Sequence, residues 1–232
     1  TYSFKSLSSD DKWIPKLLIY GDLGHKGGEL EHELFTVLPS VKKQVDNGSV
    51  DLIFHAGDFA YNLRDDGGAN GDHFFKMIQP IATRLPYMTC VGNHEDGDNF
   101  THYRHRFSMP RSTINSGFDM WYSFNIGQMH IISWSTEVVF ARKQDMQPQY
   151  QWLEQDLIEA NKNRDERPWI ITIGHRPIYC SNADDDCIVK GSAGAQIQPY
   201  IEKLFYDQGV SIEIWAHEHS YERTWPVYNF NV

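Results

Sequence analysis

The chain has 232 residues, of which 41% are hydrophobic and 22% charged, with a formal charge of -10 at pH 7. That length allows one large domain or two small ones, and the acidic balance disfavours a nucleic-acid binder, whose footprint would be a basic stripe. No apolar run reaches the roughly 18 residues that a membrane span needs.

Strand-like runs alternate with segments of helical spacing. "KLLIYGDLG" is an apolar run ending in a Gly-Asp turn, and "GELEHELFTVLPSVKKQVDNG" reads as a helix disturbed by Pro39. "VDLIFHAGDFAYN" repeats the first pattern, "DHFFKMIQPIATRL" is a second helix, and "PYMTCVGNHED" is a third strand ending in a polar loop. "MWYSFNIGQMHIISWSTE" then carries two apolar segments around Asn125-Ile126-Gly127-Gln128, a hairpin signal that predicts antiparallel strands. "QPQYQWLEQDLIEANKNR" is a helix, "RPWIITIGHRPIYC" a strand ending in Gly-His, and "GAQIQPYIEKLFYDQG" a helix closed by Gly209. "VSIEIWAHEH" is the last clear strand, and "TWPVYNFNV" is expected to begin another. The expected architecture is α/β, with two packed mixed β-sheets flanked by helices.

Three cysteines are too few for a disulfide scaffold. Cys180 and Cys187 bracket "CSNADDDC", which a disulfide would close, and Cys90 reads as a buried free thiol. The triplets Asn47-Gly-Ser and Asn99-Phe-Thr fit the N-glycosylation pattern. Together these favour a glycoprotein that is secreted or lysosomal. The chain opens at Thr1 without an apolar leader, as a mature chain or one domain of a longer protein would.

Five strand-like runs end alike, in "GDLG", "GDFAY", "GNHE", "GHRP" and "AHEH". Ligands of open α/β sheets bind outside the carboxyl ends of the strands, so these loops have a reason to converge. Asp22 and Asp58 are 36 residues apart, and Asp58 and Asn93 are 35 apart; each interval fits one strand–helix–strand crossover. The loops supply two carboxylates (Asp22, Asp58), a phenol (Tyr61), an amide oxygen (Asn93) and three imidazoles (His175, His217, His219), besides His94. No thiolate belongs to the set, which favours hard or borderline cations. Seven ligands exceed what one tetrahedral zinc requires, whereas two metals sharing a carboxylate would use them. His217 and His219 would face one cluster in an extended backbone, where residues i and i+2 point the same way.

In this order, the five blocks resemble the signature of metallophosphoesterases. The tyrosine of "GDFAY" and the stretches "NFTHYRHRFSMP", "HIISWSTE" and "HRPIYCSNADDDC" resemble purple acid phosphatases, in particular animal members of the plant-like branch. The resemblance runs from about Tyr20 to Tyr228. It implies a metallophosphoesterase-like βαβ sandwich and an acid phosphatase that hydrolyses phosphate monoesters. It implies a ferric ion on Asp22, Tyr61 and His219, and a divalent ion (iron, zinc or manganese) on Asn93, His175 and His217, with Asp58 bridging them. A metal-bound hydroxide would be the nucleophile, and His94 would lie beside the substrate as the catalytic residue. Small phosphate esters are the expected partners, with no nucleic acid and no membrane span. Plant-like relatives carry an N-terminal β-sandwich domain and sequence beyond the last motif. This chain shows neither, so one catalytic domain over residues 1–232 is expected, as a fragment or alone.

This sequence departs from the family pattern twice. "CSNADDDC" holds no histidine where plant relatives carry substrate-binding ones, so substrate preference does not transfer, and Ala216 stands where the last block usually has glycine. The competing readings are a metal-dependent phosphodiesterase, against which Tyr61 argues, and a binding protein that kept the fold. His55 and His130 read as strand histidines, His102 and His105 as neighbours on a helix face, and His25, His32 and His73 as solvated or local.

Overall fold

A computed structural model describes residues 3–4, 6–10, 12–24, 31–110, 120–182 and 191–232, with backbone alone for 31–36. The elements run β1 (Leu17–Tyr20), α1 (Glu31–Asp46), β2 (Leu52–Ala56), α2 (Ala69–Ala82), β3 (Tyr87–Cys90), α3 (Gly97–Arg106), β4 (Tyr122–Ile126), β5 (Met129–Ser133), α4 (Met146–Asn161), β6 (Trp169–Ile173), α5 (Ala193–Asp207) and β7 (Ile212–Ile214).

Strands β1, β2 and β3 form one sheet in that order, and β4 to β7 form another. The first sheet is wholly parallel rather than mixed, because every connection inside it is a helical crossover. The second is mixed: β4 and β5 are the antiparallel hairpin, and β5, β6 and β7 run parallel. Ile126 pairs with Met129, so Gly127 and Gln128 make a two-residue turn, with Gly127 at a φ of 51°.

Alternation along the strands builds the core. Leu52, Phe54 and Ala56 of β2 point to the second sheet, where Tyr122, Ile131, Ile171 and Ile173 meet them. Ile53 points the other way, onto Val41 and Val45 of α1 and Ile81 of α2. β2 is therefore buried along its whole length, as a central parallel strand must be. On the far side of the second sheet, Ile132 and Ile170 join the cluster that holds Trp152, Leu153 and Leu157 of α4 and Ile201 and Leu204 of α5. Full burial of each such side chain contributes about 1.5–3 kcal/mol.

Two expectations are corrected. Helix α1 runs on through Pro39 to Asp46. Pro39 is exposed, so its ring stands outside the packed face of the helix. "TWPVYNFNV" forms no strand; Tyr228 and Asn231 pair as an isolated bridge closing a turn. Cys90 is a buried free thiol and Cys180 is disulfide-bonded. Cys187, its expected partner, lies outside the described residues with Asp184 to Asp186.

Candidate metal centre

The loops after β1, β2, β3, β6 and β7 meet at one end of the two sheets. Asp22 N–H donates to Gly57 O at 3.1 Å, and Ala216 N–H to His175 O at 2.8 Å, which ties the loops in pairs. Gly57 takes a φ of 87°, and a Cβ there would stand 2.6 Å from His175 Nδ1 and 2.7 Å from Gly92 N. Only glycine combines that backbone with that close approach. The unusual Ala216 fits for a related reason: its methyl fills space beside Gly21, where an added Cβ would lie 2.5 Å from it.

The eight residues singled out by sequence come together. His175 is fully buried, and its Nδ1 donates to Ala56 O at 2.8 Å. That bond turns Nε2 toward Asn93 Oδ1 (3.1 Å), His217 Nδ1 (3.2 Å) and Asp58 Oδ2 (3.3 Å). Asp58, His175 and His217 each offer a ligand atom within 4.8 Å of the others. Asp22 Oδ2 accepts from His217 N–H at 2.8 Å, and Asp22 Oδ1 lies 3.6 Å from His219 Nε2. His219 Nε2 is 2.5 Å from the Tyr61 hydroxyl. Thus His217 sides with His175 and Asp58, and His219 with Tyr61 and Asp22.

The backbone that separates these two histidines is not the extended one expected. His217 has a φ of 74° and His219 a φ of 46°, and Asp22, Asp58 and Tyr61 also lie in the left-handed region. Each such residue costs on the order of 1–3 kcal/mol, and such strain gathers at functional sites. The bend lays the His217 amide on Asp22 while its ring reaches His175, which a straight strand cannot do.

Electrostatics call for positive charge here. Burial works against charging His175, but Asp58 and Asp22 outweigh it and push its pKa up to about 10. Burial also opposes ionisation of Asp58, yet His175 and then His94 hold its pKa below the usual carboxylate range. Asp22 Oδ1 is buried without a hydrogen-bond partner.

His94 lies at the rim, with its side chain 35% exposed. Its N–H donates to Asp58 Oδ1 at 3.0 Å, and its Nδ1 meets Asn62 Oδ1 at 3.2 Å. Asn62 Nδ2 donates to Asp65, so Oδ1 is the acceptor and His94 Nδ1 carries the proton. His94 Nε2 is thereby left facing Asp58 Oδ2, 4.0 Å away.

Sequence reasoning missed Asn62 and also Glu95. Buried Glu95 accepts from the N–H groups of Asp58 (2.8 Å), Phe59 (3.1 Å) and Gly92 (2.9 Å), which pins the second and third loops together. Burial, and then the charge of Asp58, push its pKa up to about 8. The available signal was an acid inside "GNHE" directly after an apolar strand.

The other histidines stay apart. His55 is buried in β2, with Nδ1 2.8 Å from the Tyr87 hydroxyl. His130 pairs with Asn125 and Asp156. His102 and His105 lie on α3, where His105 Nδ1 meets Thr101 O, and among the described residues they join no metal-binding group. His73 is exposed; His25 and the side chain of His32 lie outside the described residues.

The profile of the calcineurin-like phosphoesterase family matches residues 15–221. The chain is 48% identical to acid phosphatase type 7 of Homo sapiens, over 100% of this chain and 52% of that protein. It is 30% identical to purple acid phosphatase 18 of Arabidopsis thaliana, over 91% of this chain and 45% of the relative. The purple acid phosphatase PPD1 of yellow lupin superposes with a TM-score of 0.77 at 26% identity, covering 98% of this chain and 42% of that one. The chain thus spans about half the length of the curated relatives it matches. It belongs to the calcineurin-like phosphoesterase family, and its similarity there is to purple acid phosphatases.

Proposed function

We propose that this chain is an acid phosphatase that hydrolyses phosphate monoesters at a binuclear metal centre. The observation that carries the reading is Asp22 Oδ1, a buried carboxylate oxygen without a hydrogen-bond partner, aimed at a cluster rich in lone pairs. Burying such a group is costly unless something positive meets it. The donor set fits metal ions: carboxylates, a phenol, an amide oxygen and imidazoles, with no sulfur. Asp22, Tyr61 and His219 would hold a ferric ion, Asn93, His175 and His217 a divalent iron, zinc or manganese, and Asp58 both. When bound, such a pair activates water at acidic pH and clamps phosphoryl oxygens.

The chain's own groups have separable tasks. The bond from His175 Nδ1 to Ala56 O fixes the tautomer that presents Nε2 as a ligand atom. Asn62 holds the Nδ1 proton of His94, so Nε2 is the edge left toward the substrate and, once the ring is protonated, the one that would pass a proton to the leaving oxygen. Glu95 keeps the Asp58 and Asn93 loops in register. The disulfide-bonded Cys180 supports a secreted or lysosomal location. Among the described residues no helix is long and apolar enough to cross a membrane.

The test is the visible spectrum of the metal-loaded protein, oxidised and then mildly reduced, beside a panel of mono- and diester substrates. A purple band that shifts on reduction and disappears in Tyr61→Phe, with monoesters preferred, is the expected result. A colourless protein at full metal content that prefers diesters would refute the proposal.

A further inference from the structure

The turn from α1 into β2 reads Asn47-Gly48-Ser49, one of the two triplets that fit the N-glycosylation pattern. It closes the helix as a Schellman motif: Gly48 N–H donates to Val45 O and Ser49 N–H to Gln44 O, each at 3.0 Å. Asn47 N–H donates to Lys43 O, also at 3.0 Å. Gly48 takes a φ of 65°, and a Cβ there would meet nothing within 4 Å. The helix thus fixes the backbone of the triplet while the space around it stays open. Asn47 is exposed, and among the described residues its carboxamide makes no hydrogen bond. The neighbouring Asp46 carboxylate is turned to Lys42 (2.5 Å) and Arg84 (2.9 Å). The second triplet, Asn99-Phe100-Thr101, is built into the fold instead. Phe100 is fully buried, the Thr101 hydroxyl donates to Asp98 O, and Asn99 Oδ1 accepts from Arg142, itself buried beside Asp145.

We propose that Asn47 carries an N-linked oligosaccharide. A glycan is bulky and solvated, so it needs a side chain that the fold does not use, on backbone that stays ordered beneath it. Asn47 meets both conditions. In the transfer, Asn47 Nδ2 bonds to the anomeric carbon of an oligosaccharide carried on a lipid diphosphate. The bond from that carbon to the diphosphate oxygen breaks, the lipid diphosphate leaves, and Nδ2 gives up one proton to a base of the transferase. The inference goes beyond the phosphatase reading and rests on the secreted or lysosomal location, which the disulfide-bonded Cys180 supports. Topology keeps the glycan away from the chemistry. Asn47 precedes β2 and Asp58 follows it, so the length of that five-residue strand, about 16 Å, separates the two. The attachment therefore leaves the mouth of the metal centre open.

The experiment expresses the full chain in animal cells behind a secretory leader, beside Asn47→Gln, Ser49→Ala and Ser49→Thr. Enzymatic deglycosylation in heavy-oxygen water, followed by peptide mass spectrometry, reads occupancy at Asn47 and Asn99 separately. The Asn47 peptide of the secreted protein is expected to carry the heavy-oxygen label. Asn47→Gln and Ser49→Ala should each lose one glycan's worth of gel retardation, and Ser49→Thr should keep it. Loaded with metal, Asn47→Gln should match wild type in kcat/KM for an aryl phosphate. If Asn47→Gln is not secreted, Ser49→Ala, which leaves the last residue of the helix end intact, carries the test. An unlabelled Asn47 peptide in the secreted protein, whatever the state of Asn99, would overturn the inference. A lower kcat/KM in Asn47→Gln would refute the placement of the glycan away from the centre. A label on Asn47 in the leader-driven protein, with neither triplet labelled in protein from its natural source, would instead sink the secretory location itself.

Discussion

Replacing His55 with phenylalanine should flatten the acid limb of this protein's stability curve. The His55 ring is fully buried, 4.8 Å from the ring of Tyr20 and 4.6 Å from that of Phe59, with Phe74 and Tyr87 each at 6.0 Å. Its Nε2 has no hydrogen-bond partner. Burial pushes its pKa from 6.5 down to about 3, with Asp58 and His175 exerting smaller and opposite effects. The unfolded chain therefore takes up a proton below pH 6.5 that the native state refuses until near pH 3. The stabilisation is complete above 6.5 and is lost as pH falls through that window. Between pH 7 and pH 5 the loss comes to about 2 kcal/mol. Phenylalanine keeps the aromatic packing and cannot be protonated. Tyr87 loses its bond to His55 but keeps the one to the Tyr20 hydroxyl at 2.8 Å, so any further cost is a pH-independent offset. Urea unfolding followed by the fluorescence of the seven tryptophans, in chelator at pH 7, 6 and 5, gives both curves. The stability gap between wild type and His55→Phe should shift by about 2 kcal/mol in favour of the variant on acidification. A gap that stays constant across that range would refute the reasoning.

Gly21→Ala should destabilise by about 1–3 kcal/mol, because its methyl would stand 2.5 Å from that of Ala216; adding Ala216→Gly should recover most of this in a thermal melt. Glu95→Ala leaves three buried N–H groups without their acceptor and should cost at least about 3 kcal/mol by urea midpoint, with Glu95→Gln milder. Tyr61→Phe should abolish the visible band while the melting temperature of the chelated protein stays close to wild type, since the phenol hydroxyl lies toward exposed His219 rather than in the core. Chelation should stop turnover of an aryl phosphate, and a ferric salt added with a divalent one should restore it where either alone does not.

Much of the fold is legible along the chain because it rests on local period and spacing. The intervals from Asp22 to Asp58 and from Asp58 to Asn93 each hold one crossover, and parallel strands joined that way must end on the same side. That alone brings the "GDLG", "GDFAY" and "GNHE" loops together, and β6 and β7 add "GHRP" and "AHEH" by the same rule. What needed the tertiary structure depends on groups far apart in sequence. The left-handed bend at His217 and His219 is held by a carboxylate 195 residues away, so strand periodicity could not announce it. Glu95 serves the loops only because Asp58 and Phe59 bring their amides to it, and His55 is half satisfied only because Tyr87 of β3 lies alongside. Arg176 looks like any surface arginine until Glu137, 39 residues earlier, is found buried behind it. Sequence thus determined which chemical groups arrive at the centre, since backbone topology delivers them. The partners that orient each group were decided by packing between distant segments, where burial sets whether a polar atom must be met.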